Sequence, residues 1–147
     1  LIVEGNSGAS FFDRAGGYLG LALAPADTAS SVFVDPRVVE ASAFASENLE
    51  NDAVVVLADV ARLPSGASAK LVDFVLKGGG LWILGGPNIE EDFYRNWQGG
   101  DGPVVPLKLG EMSLPENGVR VAPGTFDHPV LRIFREEKPI NYDCYSE

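Results

Sequence analysis

The sequence predicts a three-layer α/β/α sandwich in which helices cover both faces of a mainly parallel sheet. Residues 54–57 (VVVL) and 81–84 (LWIL) are short apolar runs of the kind found in buried strands. Apolar residues between them recur at helical spacing, and the glycines at 78–80 end that helix. A strand, a helix and a second strand in this order form a βαβ unit with parallel strands and a right-handed crossover.

The remaining elements are assigned from the same periodicities and from Pro and Gly breaks. Before the central unit we expect a strand at Leu1–Val3, a helix at Phe11–Leu23, a strand at Ser31–Asp35 that Pro36 stops, and a short helix or irregular link over 37–51 with Leu49 turned inwards. Within the unit we expect a strand at Val54–Leu57, a helix starting at Pro64–Ser65 with Ala67, Leu71, Phe74 and Val75 on its buried face, and a strand at Leu81–Leu84. After it we expect an amphipathic helix within Ile89–Trp97, an exposed loop at Gln98–Pro103 and short strands at Val104–Leu109 and Val119–Val121.

Composition and charge limit the classes of function. The 147 residues are 46% hydrophobic and 22% charged, as expected for one globular domain. Because 21 acidic residues face 11 basic ones, the net charge of −10 disfavours nucleic acid and anionic membranes as partners. No apolar run reaches the roughly 18 residues that a transmembrane helix needs, so we expect no membrane insertion by this segment. Since Leu1 already lies within an expected strand, we expect the chain to be a fragment of a longer protein.

The expected ligand position is the edge of the sheet where the parallel strands end. The residues that follow the strands there are Glu4, Gly5, Asn6, Asp35, Asp59, Gly85, Gly86 and Asn88. Of these we take Asn6, Asp59, Gly85, Gly86 and Asn88 as the candidate ligand-binding residues, and we call these five the rim. The rim is acidic and carries side-chain amides, and it predicts no cofactor.

Three chemistries are possible at this edge, and the first is phosphate binding. Gly5-Asn6-Ser7-Gly8 is a glycine-containing turn after a strand. It lacks the GxGxxG spacing of dinucleotide-binding folds and the lysine of a P-loop. A plain strand-to-helix turn is therefore the favoured interpretation.

Nucleophilic catalysis would require a Ser or Cys on the sharp turn that follows a strand. That turn is Leu84–Gly85–Gly86–Pro87, which carries neither residue. The single cysteine, Cys144, is far along the chain, and we interpret it as an incidental thiol. No catalytic residue is assigned.

Acid–base or metal chemistry would depend on His128, the only histidine, beside Asp127. A His-Pro pair is more typical of a turn than of a catalytic base. One histidine without clustered partners is also a poor zinc site, so no metal ligand is assigned.

The central stretch resembles the class I glutamine amidotransferase-like domain, in the variety attached to bacterial membrane proteins that also carry von Willebrand factor A-type domains. The similar features are the strand ending in Ala58–Asp59, the helix closing with Phe74–Val75 and the Gly78–Gly79–Gly80–Leu81 entry to the next strand. LIVEGN at the start and DHPVLRIF near the end are weaker matches. Active members use a Cys–His–Glu triad, whose cysteine would fall at Leu84–Gly85–Gly86 and whose His-x-Glu motif is missing after His128.

The resemblance implies a flavodoxin-like sandwich over residues 1–147, a membrane-anchored parent protein and an exterior or periplasmic location. Our leading hypothesis is a non-catalytic module whose rim holds a small polar ligand or contacts another domain of the parent. The aromatic residues Phe93, Tyr94 and Trp97 either join that contact or cover the sheet. The alternatives are a hydrolase or amidotransferase-type enzyme that uses carboxylates and His128, and a sugar-binding relative of the same fold.

Overall fold

The computed structural model describes residues 1–6, 10, 14–25, 34–100, 102–110 and 129. The chain divides into two compact units, Leu1–Gly110 and Glu111–Glu147. All described residues except Pro129 belong to the first unit, and the fold below is the fold of that unit. The strand expected at Val119–Val121 lies outside the described residues.

The first unit is built on a four-stranded parallel sheet. Its strands are β1 (Ile2–Glu4), β2 (Val38–Glu40), β3 (Val54–Ala58) and β4 (Gly80–Leu84), in the spatial order β2-β1-β3-β4. All three neighbouring pairs are parallel. The predicted α/β fold with a mainly parallel sheet is therefore confirmed for the described residues.

Helices and a small hairpin complete the unit. They are α1 (Ala15–Leu23), a 3-10 turn (Phe44–Ser46), α2 (Ser65–Leu76), α3 (Glu91–Asn96) and a two-stranded antiparallel hairpin formed by β5 (Gln98–Gly99) and β6 (Gly102–Pro103). The β3–α2–β4 unit, the start of α2 and the position of α3 agree with the sequence prediction. Leu49 is buried, as predicted.

Glycine ends α2 as expected. Gly78 has a φ of +97°, its N–H donates to the carbonyl of Val75, and the N–H of Gly79 donates to the carbonyl of Phe74. This pair of bonds is a Schellman motif, which satisfies carbonyls that the last turn of a helix leaves unpaired. The chain then enters β4 directly, so the motif fixes where β4 begins.

Among the residues that the structure describes, buried side chains form two clusters. Val55 and Leu57 of β3 belong to the larger cluster, to which α2 contributes Ala67 and Leu71. The smaller cluster consists of Ile2, Val56 and Ala58, with Leu19 of α1 and Leu84 packed against it. Because successive residues of a strand point to opposite faces, the two clusters lie on opposite faces of the sheet.

Not every strand or helix position expected inside the protein is buried. Val54 is 44% exposed, Trp82 is 50% exposed, and Val75 on α2 also reaches the surface. Val54, Val56 and Trp82 share one face by register, the face of the smaller cluster. Among the described residues, only part of that face is covered.

The strand predicted at Ser31–Asp35 is wrong where it is described. Val34–Arg37 form no strand. The strand that pairs with β1 begins at Val38, three residues after the last residue of the predicted strand. Pro36 precedes this strand instead of ending it, which is tolerated because its missing N–H falls before the paired residues. The first bond to β1 is made from Ile2 N–H to the carbonyl of Arg37.

The segment after α3 also differs from its prediction. Gln98–Pro103 was expected as an exposed loop, but its ends form the hairpin β5–β6, and Val104–Leu109 form no strand. Pro103 and Pro106 each remove a backbone donor, which limits ladder pairing in this segment. Its apolar side chains still pack on the larger cluster at Val104, Val105 and Leu109.

Candidate functional site

The structure brings most of the rim together at the ends of β3 and β4. Asp59 follows β3 directly, and Gly85, Gly86 and Asn88 lie in the turn after β4. Asn6 lies two residues beyond β1, and its N–H approaches Glu4 Oε1 at 3.3 Å. Asp35 does not follow a strand, because β2 ends at Glu40, so its assignment to this edge is wrong.

Asp59 is the centre of the rim. Its side chain accepts two hydrogen bonds from Asn88, from the backbone N–H to Oδ1 at 2.9 Å and from Nδ2 to Oδ2 at 2.6 Å. The N–H of Asp59 donates to the carbonyl of Leu84. Asp59 is only 7% exposed and has a φ of +51°, which aspartate tolerates better than most residues. Both carboxylate oxygens are thus used inside the protein.

Two glycines, Gly5 and Gly86, lie against Asp59 in space, and neither has room for a side chain. A Cβ on Gly86 would lie 2.4 Å from Asp59 Cγ, and a Cβ on Gly5 would lie 1.9 Å from the Asp59 carbonyl oxygen. A Cβ on Gly85 would meet only Ile89 Cδ1, at an ordinary 3.5 Å. At Gly86 the volume that a side chain would need is therefore filled by the Asp59 carboxyl group.

A second carboxylate occupies the start of α1. Glu4 is 3% exposed, and its Oε2 accepts a hydrogen bond of 2.6 Å from the N–H of Gly16 in the first turn of that helix. A carboxylate at this position offsets the positive end of the helix dipole. In dinucleotide-binding folds the corresponding helix start holds phosphate, whereas here the chain supplies its own anion.

The aromatic residues of α3 and the position after it are part of the core. Tyr94 is 1% exposed and Trp97 is 6% exposed, and Phe93 packs against both rings. The hypothesis that these three form an exposed contact surface is therefore wrong, and the alternative that they cover the sheet is supported. The Tyr94 hydroxyl donates to the carbonyl of Val60 at 2.5 Å. Burial, and secondarily the negative charge of Asp59, raise the pKa of Tyr94 above its usual value.

A cavity that the sequence analysis did not anticipate opens beside the first turn of α2. Its volume is about 800 Å³, and it lies between the segments that follow β2 and β3, α2 and α3. The described residues that line it are Ala41, Ser42, Arg62, Leu63, Pro64, Ser65, Ser68, Phe93, Asn96, Trp97 and Gln98. The sequence signal for it was the start of α2 at Ser65, because a helix start leaves backbone N–H groups without intrahelical partners.

The residues considered for other chemistry fall outside the part of the chain that the structure describes. Asp127, His128 and Cys144 lie outside the described residues, as do Ser7 and Gly8. In the described part of the chain no three His, Cys, Asp or Glu side chains cluster as metal ligands would. Within the same part, no helix has the length and apolar character to span a bilayer.

Comparison with known proteins adds no assignment. No protein-family model matches the chain, and neither a curated protein nor a solved structure is significantly similar to it. The resemblance to the amidotransferase-like domain therefore remains a prediction from the sequence.

The packing of Gly86 against Asp59 predicts different effects at neighbouring glycines. Gly86→Ala should lower the free energy of unfolding by about 1–3 kcal/mol, because the added methyl group overlaps the Asp59 carboxyl group. Gly85→Ala is the matched control and should change stability by less than about 0.5 kcal/mol. Urea denaturation of both variants measures the difference, and equal stabilities would contradict this geometry.

The raised pKa of Tyr94 predicts that the folded protein loses stability in alkali. Because its pKa is higher in the folded state, the unfolded chain loses the proton first, and the stabilisation is present below pH ~10 and lost as pH rises above it. Tyr94→Phe should cost about 1 kcal/mol at neutral pH through the lost hydrogen bond, and this difference should shrink in alkali. Denaturation midpoints at neutral pH and near pH 11 test this.

Tyr18→Phe is the control for that measurement, because Tyr18 is 53% exposed. It should keep the alkaline loss of stability seen in the unmodified chain. If Tyr94→Phe kept the same alkaline loss, the loss would come from other groups.

Proposed function

We propose that this chain is a non-catalytic module of the class I glutamine amidotransferase-like type that acts by binding or assembly. The proposal rests on the close packing of Gly86 against Asp59. At the turn where an active relative would hold its cysteine, this chain has glycine, and the Asp59 carboxyl group fills the space of the missing side chain. A nucleophile at Gly86 would require Asp59 to move and to leave its bonds to Asn88, whereas Gly85 has room for a side chain.

The finer fold assignment belongs to the same proposal. A flavodoxin-like three-layer sandwich is supported by the parallel order β2-β1-β3-β4 and by the two side-chain clusters on opposite faces, one with α1 and one with α2. The right-handed rule for parallel connections is consistent with this arrangement.

Assembly is the better supported use of the rim. The two oxygens of Asp59 already accept hydrogen bonds from Asn88, and a polar ligand that displaced Asn88 would break charged hydrogen bonds, which is costly. A neighbouring domain can instead pack on the rim while these bonds remain. The partner in this proposal is another domain of a larger, membrane-anchored bacterial protein, with the module on the extracytoplasmic side.

The non-catalytic proposal predicts that the purified chain releases no ammonia from glutamine. A coupled glutamate dehydrogenase assay measures the release, with an active glutaminase as the positive control. Ammonia release proportional to the amount of chain would overturn the proposal. Cys144→Ser and His128→Ala variants would then identify whether a thiol or an imidazole outside the rim is responsible.

The assembly proposal predicts slower hydrogen–deuterium exchange at the rim in the larger parent protein than in the isolated chain. The informative rim amides are those of Asp59 and Asn88, which already have internal acceptors. The amides within α2 serve as the internal control and should exchange equally in both samples. Equal exchange at the rim in parent and isolated chain would rule out the rim as an assembly surface.

A further inference from the structure

β4 is an edge strand whose outer backbone groups have no partner among the described residues. The order β2-β1-β3-β4 puts it at one end of the sheet. Gly80 donates its N–H to the residue before β3, and the carbonyl of Leu84 accepts from the residue after β3. Because residues of a paired strand alternate in the direction of their backbone groups, Leu81 and Ile83 point their N–H and C=O groups away from β3. These four groups bond to nothing in the part of the chain that the structure describes.

The two edges of the sheet differ in how they are protected against pairing with another strand. At the opposite edge, β2 has only three residues, ends in Glu40 and follows Pro36 and Arg37. Short length, charge and proline are the usual devices that keep an edge strand from pairing. β4 has five residues, and the stretch 78–89 (GGGLWILGGPNI) that contains it has no charged residue. The β4 edge therefore lacks the protection that the β2 edge has.

Apolar side chains are exposed on both faces beside the β4 edge. Trp82 is 50% exposed on the face of the smaller cluster. On the other face an apolar groove of about 410 Å³ opens beside Leu81 and Ile83, and Val75 and Leu76 of α2 also line it. No charged residue is among the described residues of this lining. The features together fit an added strand that brings backbone donors and acceptors and apolar side chains on both faces.

A second copy of β4 has these properties. When two copies run antiparallel with Trp82 opposite Trp82, Leu81 of each faces Ile83 of the other, and these pairs exchange N–H···O=C bonds. All four outer groups of each copy are then satisfied. The two indole rings lie on the same face with Cβ atoms about 5 Å apart, where aromatic pairs are favourable. Because the stretch 78–89 is uncharged, close approach at this edge brings no like charges into contact, despite the net charge of −10.

We propose that β4 is a self-association surface through which two copies of this chain pair antiparallel about a two-fold axis at Trp82. The two four-stranded sheets then form one continuous sheet. The protected β2 edge stops further addition, so the assembly closes as a dimer. Pairing uses the length of β4, whereas the rim contact proposed above uses the turns beyond the strand ends, so the two proposals can fail separately.

The proposal predicts that the mass of the full chain rises from 15.6 kDa to twice that value as its concentration increases from micromolar to millimolar. Sedimentation velocity measures this change. Trp82→Lys should raise the dissociation constant at least about tenfold, because it removes the paired rings and places like charges opposite each other. Val38→Lys is the matched control, since Val38 is 47% exposed, shares the face of Trp82 by register and lies on the opposite edge. It makes the same charge change and should leave the dissociation constant unaltered.

A charge-exchange experiment tests the register of the pair. Because residue 82 faces its own copy, Trp82→Glu should also weaken the dimer, whereas an equimolar mixture of the Trp82→Lys and Trp82→Glu variants should associate more tightly than either alone. Val38→Lys mixed with Val38→Glu is the control and should show no such gain. Far-UV circular dichroism equal to that of the unmodified chain shows that each variant is folded.

Hydrogen–deuterium exchange identifies what covers the edge. In the proposed dimer the amides of Leu81 and Ile83 exchange more slowly as the chain concentration rises. A chain that remains monomeric at millimolar concentration overturns the proposal, and protection of these two amides in that monomer would show that another segment of the same chain occupies the edge. A dimer that Trp82→Lys does not weaken, or a Lys and Glu mixture that gains nothing, overturns the proposal by placing the interface elsewhere.

Discussion

Asp59, directly after β3, contacts the chain at the ends of β1 and β4. The packing of the carboxyl edge of the sheet depends on these contacts. The Asp59 N–H bonds to the end of β4, its carbonyl lies against Gly5 after β1, and its carboxylate holds Asn88 in the turn beyond β4. A buried carboxylate is stable only when it is paired, and Asn88 supplies both donors. The left-handed backbone of Asp59 and the absence of a side chain at Gly5 and Gly86 are the conditions that let this pairing form.

The same contacts of Asp59 also limit the chemistry that is possible at the carboxyl edge of the sheet. Polar groups collect where parallel strands end, and in many α/β proteins they are free to meet a ligand. Here Asp59 is bonded to Asn88, and Glu4 is bonded to the start of α1, so the two buried carboxylates stabilise the fold. The start of α2 is different, because its cap is Pro64, which offers no side-chain acceptor. The start of α2 also borders the cavity, through Ser65.

The sequence predicted those parts of the fold that depend on local chemistry. Four β-branched or leucine residues in a row, a helical repeat and a glycine stop are sufficient to place β3, α2 and β4. The errors arose where tertiary pairing decides. Val34 and Val38 both lie near Pro36 in strand-like sequence, and only pairing with β1 selects the segment after the proline. Val104–Leu109 has strand composition, yet Pro106 within it and Pro103 just before it each remove a backbone donor.

For the site, the sequence placed Asp59, Gly86 and Asn88 at one edge but did not predict that they would satisfy one another. Residue type and order show that a carboxylate and an amide come close, whereas their hydrogen bonds depend on the turn geometry around them. Trp97 shows the same limit of sequence-based prediction, but here the structure leaves a polar group unpaired. Spacing with Phe93 and Tyr94 predicted a shared apolar face, and the rings do pack together, but spacing carries no information on whether the indole N–H finds an acceptor. Apolar burial follows from the pattern of the sequence, while the pairing of polar atoms must be read from the folded chain. The mutual hydrogen bonds of Asp59 and Asn88 and the unpaired Nε1–H of Trp97 are both outcomes of this kind, which residue type and spacing alone do not predict.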